Sequence, residues 1–242
     1  MARKRAQVKG RGAAGSGPGK AFYLGLGLVA LVGVGALVLA RSSGSEPITR
    51  PLSVAELSAG ADPSVGVTMG PEEAPLTIME FTDFQCPVCK QFNALTGRLL
   101  RQNYAGPSGP VRWIAYDFPL DQHANAVPAA LAARCGEAQG RFWQMHDLLL
   151  ARQENWATDR SPAGRFSDYA KELGLDVGEF DRCLTERQHI SEVVASMRYG
   201  EQLGVRGTPT VFLNGEPLEN RSYRYIEQRI QEAVGGGAGR GE

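Results

Sequence analysis

Hydrophobic and polar positions change their period several times along the chain. From Ala21 to Ala40 there is no period at all, because no charged residue occurs between Lys20 and Arg41. Twenty residues at about 1.5 Å rise cover about 30 Å, the thickness of a bilayer core. Further on, Leu76-Thr77-Ile78-Met79-Glu80-Phe81 follows Pro75 and is rich in β-formers, which reads as a strand. Phe92, Leu95 and Leu99 then fall at helical spacing, and the run from Gly106 to Pro110 stops that helix. Val111 to Tyr116 reads as a second core strand. After Pro119 the pattern is helical through about Gly204, with Phe142, Met145 and Leu149 on one face and Ile190, Val193, Val194 and Met197 on another. Residues 210–213 form a last strand that meets Asn214-Gly215, a hairpin signal. Tyr223, Ile226, Ile230 and Val234 mark a closing helix. The order is strand, helix, strand, helical block, hairpin, helix, over roughly 170 residues, enough for one buried core.

The charges change how the two ends are read. The chain as a whole is neutral, with 26 basic and 26 acidic residues. Six basic residues (Arg3, Lys4, Arg5, Lys9, Arg11 and Lys20) precede the apolar stretch, and no acidic residue occurs before Glu46. The positive-inside rule then places residues 1–20 in the cytoplasm as a basic tail, and residues 21–40 as a single-pass anchor. A cleaved signal peptide is the alternative, but its apolar core is usually only about 7–15 residues long. Residues 41–63, with Ser42, Ser43, Gly44, Ser45 and several prolines, form a linker to an extracytoplasmic domain at 64–234. Residues 235–242 form a flexible tail. Beyond position 20 the balance is 20 basic against 26 acidic residues, which leaves no basic surface for nucleic acid.

Candidate chemistry sits where the first strand ends. Glu80-Phe81-Thr82-Asp83-Phe84-Gln85-Cys86-Pro87-Val88-Cys89 runs from an apolar strand into two cysteines at i and i+3. This spacing also supplies half of a zinc site, but a zinc site needs a second pair of ligands. Cys135, Cys183, His123, His146 and His189 are scattered, so no metal is expected and the redox reading of a CxxC in a βα unit is preferred. Pro87 suits the first helical turn. Cys86 therefore stands at a helix N-terminus, where free amides and the macrodipole favour a thiolate. Cys86 is expected to be the accessible nucleophile and Cys89, one turn in, its buried resolving partner. Trp143 and Trp156 read as packing residues, and Asp117, Asp121 and His123 as a solvated loop. The residues alone leave Thr208-Pro209 open between a cis bond and an ordinary trans proline, and leave Glu80 open between a solvated edge acid and a buried carboxyl.

Three separated segments, FTDFQCPVCKQF, DFPLDQHANAVPAALAARCGEAQGRFWQMHDLLL and GVRGTPTVFLNG, together resemble the membrane-anchored DsbA-like thiol–disulfide oxidoreductases. The resemblance covers residues 64–234. It implies an α/β thioredoxin fold with an inserted helical subdomain at about 120–204. It also implies catalytic roles for Cys86 and Cys89, a cis-proline at Pro209 facing them, and a buried acid at Glu80 that passes a proton to Cys89. Thr208, Pro87 and Val88 would contact substrate. Val88 stands where the best-known member carries histidine, so that contribution to the thiolate is missing. Cys135 and Cys183 are either two free buried thiols or, as anchored members suggest, a structural bridge whose loop of roughly 48 residues contributes about 3–4 kcal/mol.

The function implied is oxidation of dithiols in reduced exported proteins, without a cofactor, by a monomer. A quinone-reducing membrane partner, resembling DsbB or the vitamin K epoxide reductase homologues, would reoxidise it, because the chain holds no nucleotide-binding fingerprint and no further CxxC. An isomerase or reductase of the same fold is the alternative. A CxxC metal-binding chaperone lacks a third soft ligand near the motif.

Overall fold

β-Branched and aromatic residues in two seven-residue runs build the centre of the sheet. The computed structural model describes residues 62–237. Its strands are Val67–Met69 (β1), Leu76–Thr82 (β2), Val111–Asp117 (β3), Thr210–Leu213 (β4) and Glu216–Pro217 (β5), in the order β1-β3-β2-β4-β5. β2 and β3 run parallel, with Leu76 opposite Val111 and Thr82 opposite Asp117, while the other pairs are antiparallel. β1 is not foreseen in the sequence, because three residues are too short to show a period. At the far edge Asn214 (φ 50°) and Gly215 (φ 84°) both take the left-handed backbone that a two-residue hairpin demands. Asn214 also ties back to β2, its Oδ1 accepting from the Thr77 amide at 2.8 Å.

A parallel pair needs a helical crossover, and here it is Pro87–Phe92 (α1), a π-helical turn at Asn93–Gly97, and Arg98–Tyr104 (α2). The π-turn overturns the expected apolar face. Leu95 and Leu99 are 61% and 39% exposed, and the buried positions are Phe92, Asn93, Thr96, Gly97, Leu100 and Arg101. One wider turn stretches the repeat from 3.6 to about four residues, so Thr96 and Leu100 replace Leu95 and Leu99 beneath Phe92. Asn93 and Arg101 lie on the same inward face.

The remaining helices are Ala126–Glu137 (α3), Phe142–Ala151 (α4), Ala163–Glu172 (α5), Val177–Thr185 (α6), Ile190–Gln202 (α7) and Tyr223–Gly237 (α8). One sheet face packs Ile78, Trp113, Val211 and Leu213 against Leu100, Ile226 and Ile230. The other stacks Phe81, Tyr116, Phe118 and Phe212 against α7 and Val205. Gly200 is required there, since a Cβ would lie 2.7 Å from the Phe118 ring and 2.9 Å from that of Phe81. Val234, expected on the core face of α8, is 44% exposed, and α8 continues to Gly237, past the expected start of the tail. The block α3–α7 has its own core around Met145, Leu149, Trp156, Phe166 and Phe180. The architecture is a thioredoxin-like α/β fold with a helical insertion between β3 and β4. Among the described residues no helix is long and apolar enough to cross a membrane. The tail 1–20, the anchor expected at 21–40, residues 41–61 of the linker and residues 238–242 lie outside the described residues.

Cys135 of α3 and Cys183 of α6 are joined by a disulfide across 48 residues of chain. Closing a loop of that length in the unfolded state contributes about 3–4 kcal/mol. The double variant Cys135→Ala/Cys183→Ala is therefore expected to unfold at lower urea, with a free energy reduced by about that amount, and to keep its Cys86 reactivity. Loss of reactivity at unchanged stability would show that this bridge relays electrons rather than bracing the insertion.

Candidate active site

β2 ends at Thr82, and the chain turns over Asp83, Phe84 and Gln85 before α1 starts. Cys86 is the extended N-cap of α1 (φ −73°, ψ 122°) and Pro87 is its first residue. The turn is held locally and from a distance. The Cys86 amide donates to the Asp83 carbonyl at 3.1 Å. The Gln153 side chain, from the helical insertion, donates to the Phe84 and Cys86 carbonyls at 2.7 and 3.0 Å. Thr208-Pro209, immediately before β4, is a cis bond. The Thr208 carbonyl stands 3.5 Å from Cys86 Sγ, a hydrogen bond that only the protonated thiol can make. Cys86 is only 6% exposed and Cys89 fully buried. The nucleophile is thus less open than its position in the sequence suggests, because Thr208 covers it. Pro87 and Val88 form the open rim, Val88 being 50% exposed.

Both cysteines are free thiols, and their surroundings push them apart. A hydrogen bond from the Cys89 thiol is the largest influence on Cys86. Together with the Cys89 and Val88 amides it outweighs burial and brings the Cys86 thiol down to about 5. Burial, and then the neighbouring Cys86, push Cys89 well above the ordinary thiol range. One sulfur is held as an anion while the other keeps its proton.

Glu80 is buried in the central strand. Its Oε2 accepts from Trp113 Nε1 at 3.0 Å and lies 3.6 Å from Arg101 Nη1, while Oε1 is buried with no hydrogen-bond partner among the described residues. Arg101 is the centre of this cluster. It donates to Asn93 Oδ1 at 2.8 Å and Asp147 Oδ1 at 2.5 Å, with its guanidinium over the Trp113 and Trp143 rings at 5.6 and 4.8 Å. The hydrogen bonds of Glu80 run to this cluster and not to sulfur. The group that reaches Cys89 Sγ is the Asp83 amide, at 3.5 Å.

The sequence reading passed over Asp83, Arg101 and Gln153. An Asp two residues before a strand-to-helix corner is an Asx-turn signal, and the Gln85 amide does donate to Asp83 Oδ1 at 2.7 Å. The loop reading of Asp117 and His123 needs correction. Asp117 is buried on Arg134 Nε at 2.7 Å, and His123 Nδ1 lies 2.7 Å from Asp83 Oδ2, while Asp121 is exposed. Trp156 is fully buried and Trp143 partly so, both as packing residues.

Fold and site together define a class: a thioredoxin-fold protein with a helical insertion and a polarised CxxC dithiol. Residues 63–232 match the family model described as Thioredoxin, and the chain belongs to that family. It is similar to BdbD of Bacillus subtilis (TM-score 0.64, 23% identity, covering 73% of this chain and 96% of that one). It is also similar to DsbA of Chlamydia trachomatis (TM-score 0.63, 18% identity, 80% and 100% covered). At such identities the likeness carries the fold. A curated relative, the Na(+)/H(+) antiporter NhaA 3 of Salinispora tropica, is 37% identical over 163 residues, which span 67% of this chain and 24% of that protein. A match to a quarter of a transporter speaks for a shared domain and not for transport.

The thiol pair can be tested by removing one half. In Cys89→Ala the strongest support of the Cys86 thiolate is gone and the helix amides remain. The Cys86 titration, followed by thiolate absorbance near about 240 nm, is expected to move up from about 5 without reaching the free-thiol value of about 8.5. A titration that stays at about 5 would mean that the helix start alone sets it.

Proposed function

We propose that this chain is an extracytoplasmic dithiol oxidase that donates a Cys86–Cys89 disulfide to reduced exported polypeptides. The observation that carries the reading is the division between the two sulfurs, with Cys86 favoured as thiolate and Cys89 sealed and protonated. A substrate thiolate attacks Cys86 Sγ of the oxidised protein. The Cys86–Cys89 bond breaks, a substrate–Cys86 mixed disulfide forms, and Cys89 leaves and takes up a proton. A second substrate thiolate then attacks the substrate sulfur of the mixed disulfide and expels Cys86 as a thiolate. Two electrons have passed from the substrate dithiol to the protein. The low Cys86 value makes it a good leaving group in the second step and stabilises the reduced protein, so the exchange as a whole runs towards substrate oxidation. The exposed rim of Pro87 and Val88, with Thr208 and Pro209 facing it, is where an extended substrate segment would lie. Glu80, buried in the central strand, would be the acid that exchanges a proton with Cys89.

The compartment and the reoxidising partner belong to the same proposal. The uncharged stretch 21–40 behind a basic flank supports a membrane tether with the domain outside, and a structural Cys135–Cys183 bridge suits an oxidising compartment. A dithiol left after each turnover has to be reoxidised. A quinone-reducing membrane protein placed by the same tether is the electron acceptor that fits.

The reduction potential of the Cys86–Cys89 couple decides between oxidase and reductase. At pH 7 a Cys86 value of about 5 stabilises the reduced form by about two pH units, or about 3 kcal/mol. That corresponds to about 60 mV for two electrons. The folded value lies below the unfolded one, so this gain is complete above about pH 8.5 and disappears as pH falls through about 5. Between about pH 5 and 8 one proton accompanies two electrons, and the potential is expected to fall by about 30 mV per pH unit, steepening to about 60 mV below. A slope of about 60 mV across the whole range, or a potential as low as the about −270 mV of thioredoxin, would overturn the oxidase reading.

A further inference from the structure

The active-site turn is held by a side-chain pair that neither redox chemistry nor packing accounts for. Asp83 has a fully buried side chain in the corner between strand and dithiol. Its Oδ1 accepts from the Gln85 amide at 2.7 Å. Its Oδ2 accepts from the Leu120 amide at 2.9 Å and from His123 Nδ1 at 2.7 Å. The same residue's backbone amide donates to Cys89 Sγ at 3.5 Å, and its carbonyl accepts from the Cys86 amide at 3.1 Å. All three of its polar groups are engaged, two of them towards the cysteines. Gln85 is fastened in parallel, its Oε1 accepting from the Asn125 amide at 2.6 Å and its Nε2 donating to the Ala157 carbonyl at 2.7 Å.

We propose that Asp83 and His123 act as a positioning couple, in which the imidazole anchors the buried carboxylate so that the Asp83 amide stays aimed at Cys89 Sγ. This inference rests on the dithiol reading above. The consequence runs along a chain of donors. The Asp83 amide donates to the Cys89 sulfur, and the Cys89 thiol donates to the Cys86 thiolate. A sulfur that accepts a hydrogen bond becomes a better donor through its own S–H, because bonds in a chain polarise one another. His123 therefore acts on Cys86 through two intervening residues without touching either sulfur. Its place in the loop after β3 takes over the thiolate support that a histidine between the two cysteines would give and that Val88 does not.

His123 is only half-buried, so His123→Ala is expected to fold, and it is the principal variant. Loss of the anchor should raise the Cys86 titration, read by thiolate absorbance on the full-length protein without substrate, by about one pH unit, a tenfold loss in the thiolate-to-thiol ratio. The equilibrium constant with glutathione should fall by a similar factor. His123→Asn, whose amide can donate where Nδ1 stands, should restore most of both values, and Asp83→Asn should resemble His123→Ala. An unchanged titration in folded His123→Ala would overturn the proposal, as would His123→Asn no better than alanine. The two readings separate cleanly. A wild-type Cys86 titrating near the ordinary thiol value would sink the dithiol reading itself. A low wild-type value that His123→Ala leaves alone would sink only the couple.

Discussion

Between Thr82 and Cys86 the backbone leaves a paired strand and begins a helix, and the amides at that helix start have no carbonyls of their own to bond. Such orphan donors must find other acceptors. Here the acceptors include sulfur, and these amides add to the larger support that the Cys89 thiol gives the Cys86 thiolate. The Pro87 ring removes one donor from the set and fixes the first turn. The parallel pairing of β2 with β3 fixes where the turn emerges, and Gln153 holds its two carbonyls in place. A different strand register would carry the dithiol away from Thr208 and leave the same amides facing solvent.

Beneath this corner the sheet carries a buried charge cluster that a purely apolar core would not need. Arg101 serves Glu80, Asp147 and Asn93 at once while lying between two indole rings. Such groups out of water depend on one another, since removing one partner of a buried pair leaves the other uncompensated. The π-turn makes this arrangement possible. In a regular α-helix the residues three and seven positions after Phe92 would face inward, which is where Leu95 and Leu99 stand. The wide turn brings Arg101 round to the inward face that Asn93, four residues after Cys89, already occupies. The insertion joins in through Asp147, so the cluster ties the crossover helix, the central strand and α4 together.

Much of this was legible because β2, β3 and β4 are β-rich runs bounded by proline, glycine or asparagine, and because α8 carries a clean apolar repeat. The CxxC at a strand-to-helix junction announced its chemistry locally. What escaped was either too short or too long in range. β1 has three residues and so no period. The π-turn leaves no mark in composition, and the leucines at 95 and 99 fit an ordinary helix better than the residues that are in fact buried. His123 meets Asp83 across forty positions, and a lone histidine in a polar loop gives no hint of its partner. The residues alone left Glu80 open between a solvated and a buried acid, and its bonds to Trp113 and Arg101 depend on how β3 and α2 settle against β2.

Gln153, Asn125 and the Ala157 carbonyl belong to the helical insertion, yet they clasp Phe84, Gln85 and Cys86. The insertion is therefore not a cassette that can be exchanged between relatives at its two hinges. A lineage that lengthened, shortened or replaced it would have to re-create these four hydrogen bonds at the same time, or accept a looser redox centre. Sequence drift in this block should be uneven for that reason. Its outward faces are free to diverge, while the short stretch from Gln153 to Ala157 is bound by the chemistry of a motif nearly seventy residues away.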